Sequence, residues 1–113
     1  MTQPIKKSVT PYRAWEASAA NQVPVSLEAR FRTGDGYFFS YAYLVCCRYD
    51  KGDTIELHFS TWVLRIEGRN LGALYDALSK HTVSFVHEGD QDDGSVPEAD
   101  PFIVQLTVEE ADD

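Results

Sequence analysis

The stretch LHFSTWVLRIEGRNLGALYDAL, Leu57 to Leu78, decides how the chain is read. Ile55, Leu57 and Phe59 alternate with Glu56, His58 and Ser60; Trp62, Leu64 and Ile66 then alternate with Val63, Arg65 and Glu67. Successive side chains of a strand point to opposite faces, so each series describes a half-buried strand. The inward phase jumps by three residues between Phe59 and Trp62, which a period of two cannot absorb. Ser60 and Thr61 are therefore expected to form a tight turn or bulge between two strands. The period changes again at EGRNL: Gly68 can supply an unusual backbone angle, and Asn70 is a good helix N-cap. Leu71, Leu74, Tyr75 and Leu78 then fall at i, i+3, i+4 and i+7, which predicts an amphipathic helix running to about His81.

The same reasoning extends to both sides. Val25, Leu27, Ala29 and Phe31 alternate with Ser26, Glu28, Arg30 and Arg32 before the turn TGDG, Thr33 to Gly36. YFFSYAYLVCCRYD, Tyr37 to Asp50, is apolar on both faces and reads as one long strand, bent round a small barrel or covered on its second face. DKGD, Asp50 to Asp53, is the following hairpin turn. TVSFVHE, Thr82 to Glu88, offers a further strand, and residues 89–101 form an acidic loop rich in Gly, Pro and Asp. FIVQLTVEE is the last strand, expected to present Phe102, Val104, Leu106 and Val108 on one face. At the other end, residues 1–10 carry no pattern and read as a loose arm, while Tyr12, Trp15 and Ala19 in Pro11–Gln22 lie at helical spacing. The expected fold class is α+β: a mainly antiparallel, strongly bent sheet or small barrel of about six strands, with an N-terminal helix and a helix inserted after the fourth strand.

At 113 residues the chain has the length of a single domain. Its net charge of -8 is unevenly spread: up to Lys80 there are 10 basic and 8 acidic residues, and beyond it 10 acidic and none basic, ending in an acidic tail at 110–113. Such segregation solubilises and repels nucleic acid, or lets an acidic segment meet a basic face. No apolar run reaches the roughly 18 residues of a membrane span, and no signal-peptide core follows Lys6 and Lys7, so the expected location is cytoplasmic. Cys46 and Cys47 are adjacent, a layout that suits neither a disulfide framework nor a four-ligand metal site.

LHFSTWVLRIEGRNLGALYDALSKHTV resembles a recurring stretch in small bacterial proteins of unknown function, where a hairpin ending in I-x-G-x-x-L precedes an L-Y-x-x-L helix. The resemblance implies a bacterial origin and supplies no activity. The expected N-terminal helix, the long bent strand and the I-x-G-x-x-L element at Ile66 to Leu71 are also similar to the Sm and Hfq barrels. That similarity implies a ring-forming RNA binder.

Three kinds of chemistry are open. The aromatic row Tyr37, Phe39, Tyr41, Tyr43 and Tyr49 can stack on bases, or form core or a subunit interface. No Lys or Arg is interleaved before Arg48, which favours core or interface over stacking. Arg48, Arg65 and Arg69, with Arg30 and Arg32, can build an anion patch if their strands align, or remain solvated and paired to carboxylates. His58 shares a strand face with Glu56 and Ser60, which permits an acid-base pair. His58, His81 and His87 lack metal-ligand spacing, and DQDDG, Asp90 to Gly94, lacks the closing Glu of a calcium loop, so no metal or cofactor is expected. The resulting expectation is a non-enzymatic, self-associating interaction or ligand-binding module, with Arg48, Arg65, Arg69, Tyr41 and Tyr43 as candidate binding residues. The alternatives are an Sm-like RNA-binding ring protein and a small enzyme using His58 and Glu56.

Overall fold

A computed structural model describes residues 12–19, 22–50, 53–90 and 96–111. The arm at 1–10, most of the DQDDG segment and the end of the acidic tail lie outside the described residues. Among the described residues the chain is mostly β: eight strands form two four-stranded sheets accompanied by one α-helix, α1 (Gly72–Ser79). The first sheet has the order β1-β7-β2-β3, built from β1 (Trp15–Ala17), β2 (Ser26–Arg30), β3 (Gly36–Ser40) and β7 (Val83–His87). The second, β4-β5-β6-β8, contains β4 (Leu44–Asp50), β5 (Thr54–Phe59), β6 (Trp62–Arg69) and β8 (Phe102–Glu110). Pairing is antiparallel except between β2 and β7. Two open sheets totalling eight described strands replace the single bent sheet or small barrel of about six strands, α+β in class, expected from the sequence.

The expected N-terminal helix is replaced by β1. Its backbone completes the edge of β7, with Ser18 N–H bonded to the Thr82 carbonyl at 2.7 Å and His87 N–H to the Ala14 carbonyl at 2.8 Å. Tyr12 donates its hydroxyl to the His87 carbonyl at 2.7 Å and accepts from Ile103 N–H at 3.1 Å. Tertiary partners outweigh weak helical spacing here, since a short helix gains little on its own. Burial of the Tyr12 ring pushes its hydroxyl pKa up to about 12, so it stays a donor at any ordinary pH.

The long apolar run is also broken. Ser40 caps a 3-10 turn, Tyr41–Tyr43, by accepting the Ala42 N–H at 3.2 Å, and Leu44 N–H bonds back to the Tyr41 carbonyl. The chain therefore leaves one sheet after β3 and enters the other at β4. One core spans both sheets and the helix, with Leu27, Ile55, Leu57, Leu64, Ile66, Leu74, Leu78 and Ile103 all fully buried.

The strand-turn-strand reading of the opening stretch matches β5 and β6, and the joint at Gly68 is clear. Gly68 is required by a close approach and not by an unusual φ: an added Cβ would stand 2.0 Å from the Phe102 carbonyl oxygen. The β6–β8 register slips at that point, from Glu67 opposite Gln105 to Gly68 opposite Ile103, which leaves Val104 as the extra residue. Val104 is consequently exposed and Ile103 buried, which corrects the expected face of the last strand. The expected Asn70 cap does not form: the N-cap position is Leu71, with no side-chain cap hydrogen bond. Asn70 sits at φ 58° and gives its amide to the Glu98 and Asp100 carbonyls, whereas the carboxylate of Asp53 accepts the Asn70 and Leu71 N–H groups.

Candidate functional site

The expected basic patch is divided among separate structural roles. Arg48 and Arg65 converge on Glu56 in β5, at 3.4 Å from Oε1 and 2.9 Å from Oε2. His58 Nε2 lies 3.2 Å from the same Oε1. The hydrogen bonds from Arg65 and His58 hold the Glu56 carboxyl below its ordinary range, and Glu56 in turn raises Arg65. This carboxylate is thus occupied by cations, a poor state for a general base, and His58 sits on an open strand face with its side chain 38% exposed. Arg69 lies apart, its guanidinium reaching the Val96 and Pro97 carbonyls at 3.3 and 3.4 Å and standing 5.1 Å from the Phe102 ring, with Nε buried and unpartnered. Arg30 pairs with Glu28 and covers Phe85, while Arg32 serves Glu88, Gly89 and Val104. No shared anion surface remains among these residues.

Of the two aromatic candidates, Tyr41 is core. It is 5% exposed, donates its hydroxyl to the Val83 carbonyl at 2.7 Å and stacks on His81 at 4.7 Å. Burial raises its hydroxyl pKa, which keeps it protonated in that bond. Tyr43, two residues on, is 62% exposed and belongs to a surface groove.

That groove is the most distinctive surface feature. It has a volume of about 350 Å³ and is lined by Tyr37, Phe38, Phe39, Ser40, Tyr43, Phe59, Ser60, Thr61 and Trp62, none of them charged. Its floor is the stack of Phe39 on Phe59 at 4.9 Å, extended by Tyr37 on Phe39 at 6.2 Å. The 3-10 turn and the β5–β6 turn are tied by the Ser60 N–H to Tyr43 carbonyl bond at 3.0 Å, which fixes the far wall. Phe38 and Trp62 were missed by sequence reasoning. Alternation places Trp62 inward with Leu64 and Ile66, but β6 begins past the edge of the core and leaves the indole on the rim. Phe38 counts as second-face cover in an unbroken strand and stands exposed once that strand ends at Ser40. A larger recess of about 450 Å³ between Tyr12, Trp15 and Pro97 has charged residues in its lining, Arg13 and Asp100, and so differs from the uncharged groove.

Comparison of the chain with family models, with curated proteins and with solved structures finds no match in any of the three. Among the described residues, no group of three or more His, Cys, Asp or Glu side chains is placed to hold a metal ion, and no helix is long and apolar enough to cross a membrane.

Proposed function

We propose that this protein is a non-enzymatic interaction module that associates with a second copy of itself through the aromatic groove. The observation behind this reading is the uncharged aromatic groove lying beside an edge strand. Tyr37, Phe38, Tyr43 and Trp62 are 48%, 76%, 62% and 37% exposed. At roughly 200 Å² for each aromatic side chain, the four leave on the order of 450 Å² of ring surface in water. Patches of that size mark contact sites on soluble proteins, and the four rings alone supply about half of the roughly 800 Å² that one partner brings to a standard interface.

Charge does not oppose a second copy at this place. Gly36 to Cys47 contains no ionisable acid or base apart from tyrosines and cysteines, so the net charge of -8 is carried elsewhere. Repulsion between two such chains acts at a distance and weakens as salt screens it, which predicts tighter association at higher ionic strength. A ring-forming RNA-binding role loses its scaffold because neither sheet closes, and an acid-base role for His58 and Glu56 is disfavoured by their open, cation-paired setting. The two free thiols suit a reducing cytoplasm.

The test is mass in solution by light scattering behind a sizing column, at low and high salt. The expected result is a dimer that strengthens with salt and that Phe38→Glu weakens by about 100-fold, in the range of an interface hot spot. Arg48→Glu, on a different face, leaves the mass unchanged. A monomer at millimolar concentration in high salt overturns the proposal.

A further inference from the structure

We infer that the two copies join edge to edge, β3 against β3 in antiparallel register about Phe38, so that their first sheets become one continuous sheet. This rests on the self-association proposed above, and adds which backbone groups meet and in what register.

The argument starts from the β2–β3 ladder. Phe31 N–H bonds to the Asp35 carbonyl at 2.9 Å and Tyr41 N–H to the Val25 carbonyl at 3.0 Å, at either end of a regular antiparallel register. Opposed residues in such a ladder alternate between hydrogen-bonded and non-bonded pairs. Counting inward from both ends gives the same answer: Tyr37 and Phe39 turn their N–H and C=O groups to β2, and Gly36, Phe38 and Ser40 turn theirs away. β3 ends its sheet, so among the described residues no strand lies beside these outward groups. The groove itself confirms where it runs, because consecutive β3 residues 37–40 all line it. Side chains of consecutive residues lie on opposite faces, and a cavity that touches them all follows the strand edge.

An unprotected edge of this kind is a template for another strand. Natural edges are blunted by charge, proline or a bulge, and GYFFS has none of these. The edge also supplies its own register. A two-fold axis at Phe38 pairs Phe38 with its counterpart and Gly36 with the Ser40 of the second copy, so that every outward N–H and C=O of the strand finds a partner. An axis at Tyr37 would set Ser40 against Gly34, which lies in the turn at φ 99° and outside the strand. The Phe38 axis also brings the two most exposed rings directly opposite one another, at the ~5 Å Cβ separation where cross-strand aromatic pairs interact.

Two measurements on the full chain test this. In the unaltered protein, amide exchange is followed by NMR from dilute to concentrated solution. The Phe38 and Ser40 amides are expected to slow by about tenfold or more as the dimer fills, while Tyr37 and Phe39, already bonded to β2, change far less. Register is read by disulfide trapping in a Cys46→Ser background, since burial pushes the remaining Cys47 thiol up to about 11 and leaves it unreactive. Gly36 has room for a side chain, with its nearest contacts at 3.5 Å or more. Mixing Gly36→Cys protein with Ser40→Cys protein should give a covalent dimer, and oxidising either alone should give none. A dimer by light scattering with unchanged Phe38 and Ser40 amides overturns the edge pairing and leaves the self-association standing. Efficient cross-linking of Gly36→Cys to itself overturns the register. A monomer throughout overturns both this inference and the proposal beneath it.

Discussion

The two sheets meet at two seams that are finished in opposite ways. At one, Glu88 is 6% exposed and its carboxylate accepts the Arg32 N–H at 2.9 Å and the Leu106 N–H at 3.0 Å, joining the end of β2 to β8. Arg32 reaches back over the same seam to the Gly89 and Val104 carbonyls, at 3.0 and 2.7 Å. Tyr12 bridges β7 and β8 with its hydroxyl. At the other seam Phe39 stacks on Phe59, and the strand edge beside them is left bare. At the first seam, side chains of the same chain bond the backbone of Arg32, Leu106, Gly89, Val104, His87 and Ile103. The second seam closes only by apolar contact, and its unpaired groups make it the place where the molecule can be extended.

Removing the clasp is the strongest way to break this contrast. Glu88→Ala leaves two buried N–H groups without acceptors and Arg32 without its carboxylate, at a cost of about 3–5 kcal/mol. Equilibrium denaturant unfolding would measure it; a loss below about 1 kcal/mol would mean the seam is held by packing alone. Phe38→Glu sets the scale at the other seam. It alters an exposed side chain and should change stability of the monomer by less than about 0.5 kcal/mol while removing self-association. Glu88→Ala protein that remains folded should still dimerise, because its damage lies away from the β3 edge.

A smaller effect sharpens the same point at α1. The helix has no side-chain cap, and the two N–H groups just before it, those of Asn70 and Leu71, are accepted by Asp53, held at φ 68° and also accepting the Tyr49 hydroxyl at 2.9 Å. Asp53→Ala should cost about 1 kcal/mol through the lost hydrogen bonds, and Asp53→Asn should recover only part of it, because its amide keeps one acceptor oxygen where the carboxylate uses both. Thermal melting of the three proteins under one buffer checks the order.

How much of this was legible in the sequence depended on the range of the forces involved. Strands β2, β5, β6 and β7 and the helix follow from the spacing of Leu27, Ile55, Leu57, Leu64, Ile66, Leu74, Leu78, Val83 and Phe85, because burial of a face leaves a period in the chain. The N-terminal segment was misread because Tyr12 and Trp15 find partners about 70 residues or more along the chain, which no local pattern records. The break after Ser40 is a local event, a serine cap within an apolar run, and it was masked by the high strand propensity on both sides. That break decides the candidate site: it buries Tyr41, exposes Phe38 and Tyr43, and ends β3 with a free edge. Arg48, Arg65 and Arg69 were visible as charges, but their carboxylate and carbonyl partners depend on register, and register sends Arg69 to the 96–97 loop while Arg48 and Arg65 meet at Glu56.

The Glu56 cluster should give the smallest effect of all, although it holds the densest set of ionic contacts. Arg65 and His58 hold the Glu56 carboxyl below its ordinary value of 4.5. A carboxylate with a depressed folded pKa contributes stability that is present above its unfolded pKa, and that is lost as pH falls through the lower folded value. The window therefore lies below about pH 4.5. Its size is limited by solvent, because Arg48 is 65% exposed, His58 38% and Arg65 32%, and surface pairs of this kind are worth a few tenths of a kcal/mol each. Glu56→Gln should thus unfold at nearly the same denaturant concentration as the parent protein at pH 7, and lose less stability than the parent between about pH 5 and pH 3. Molar salt should shrink the difference further. An acid limb as steep in Glu56→Gln as in the parent would assign the acid sensitivity elsewhere, with His87 the next group to examine: burial and then Arg30 lower its pKa, so its neutral form is favoured in the fold and its contribution fades below about pH 6.5.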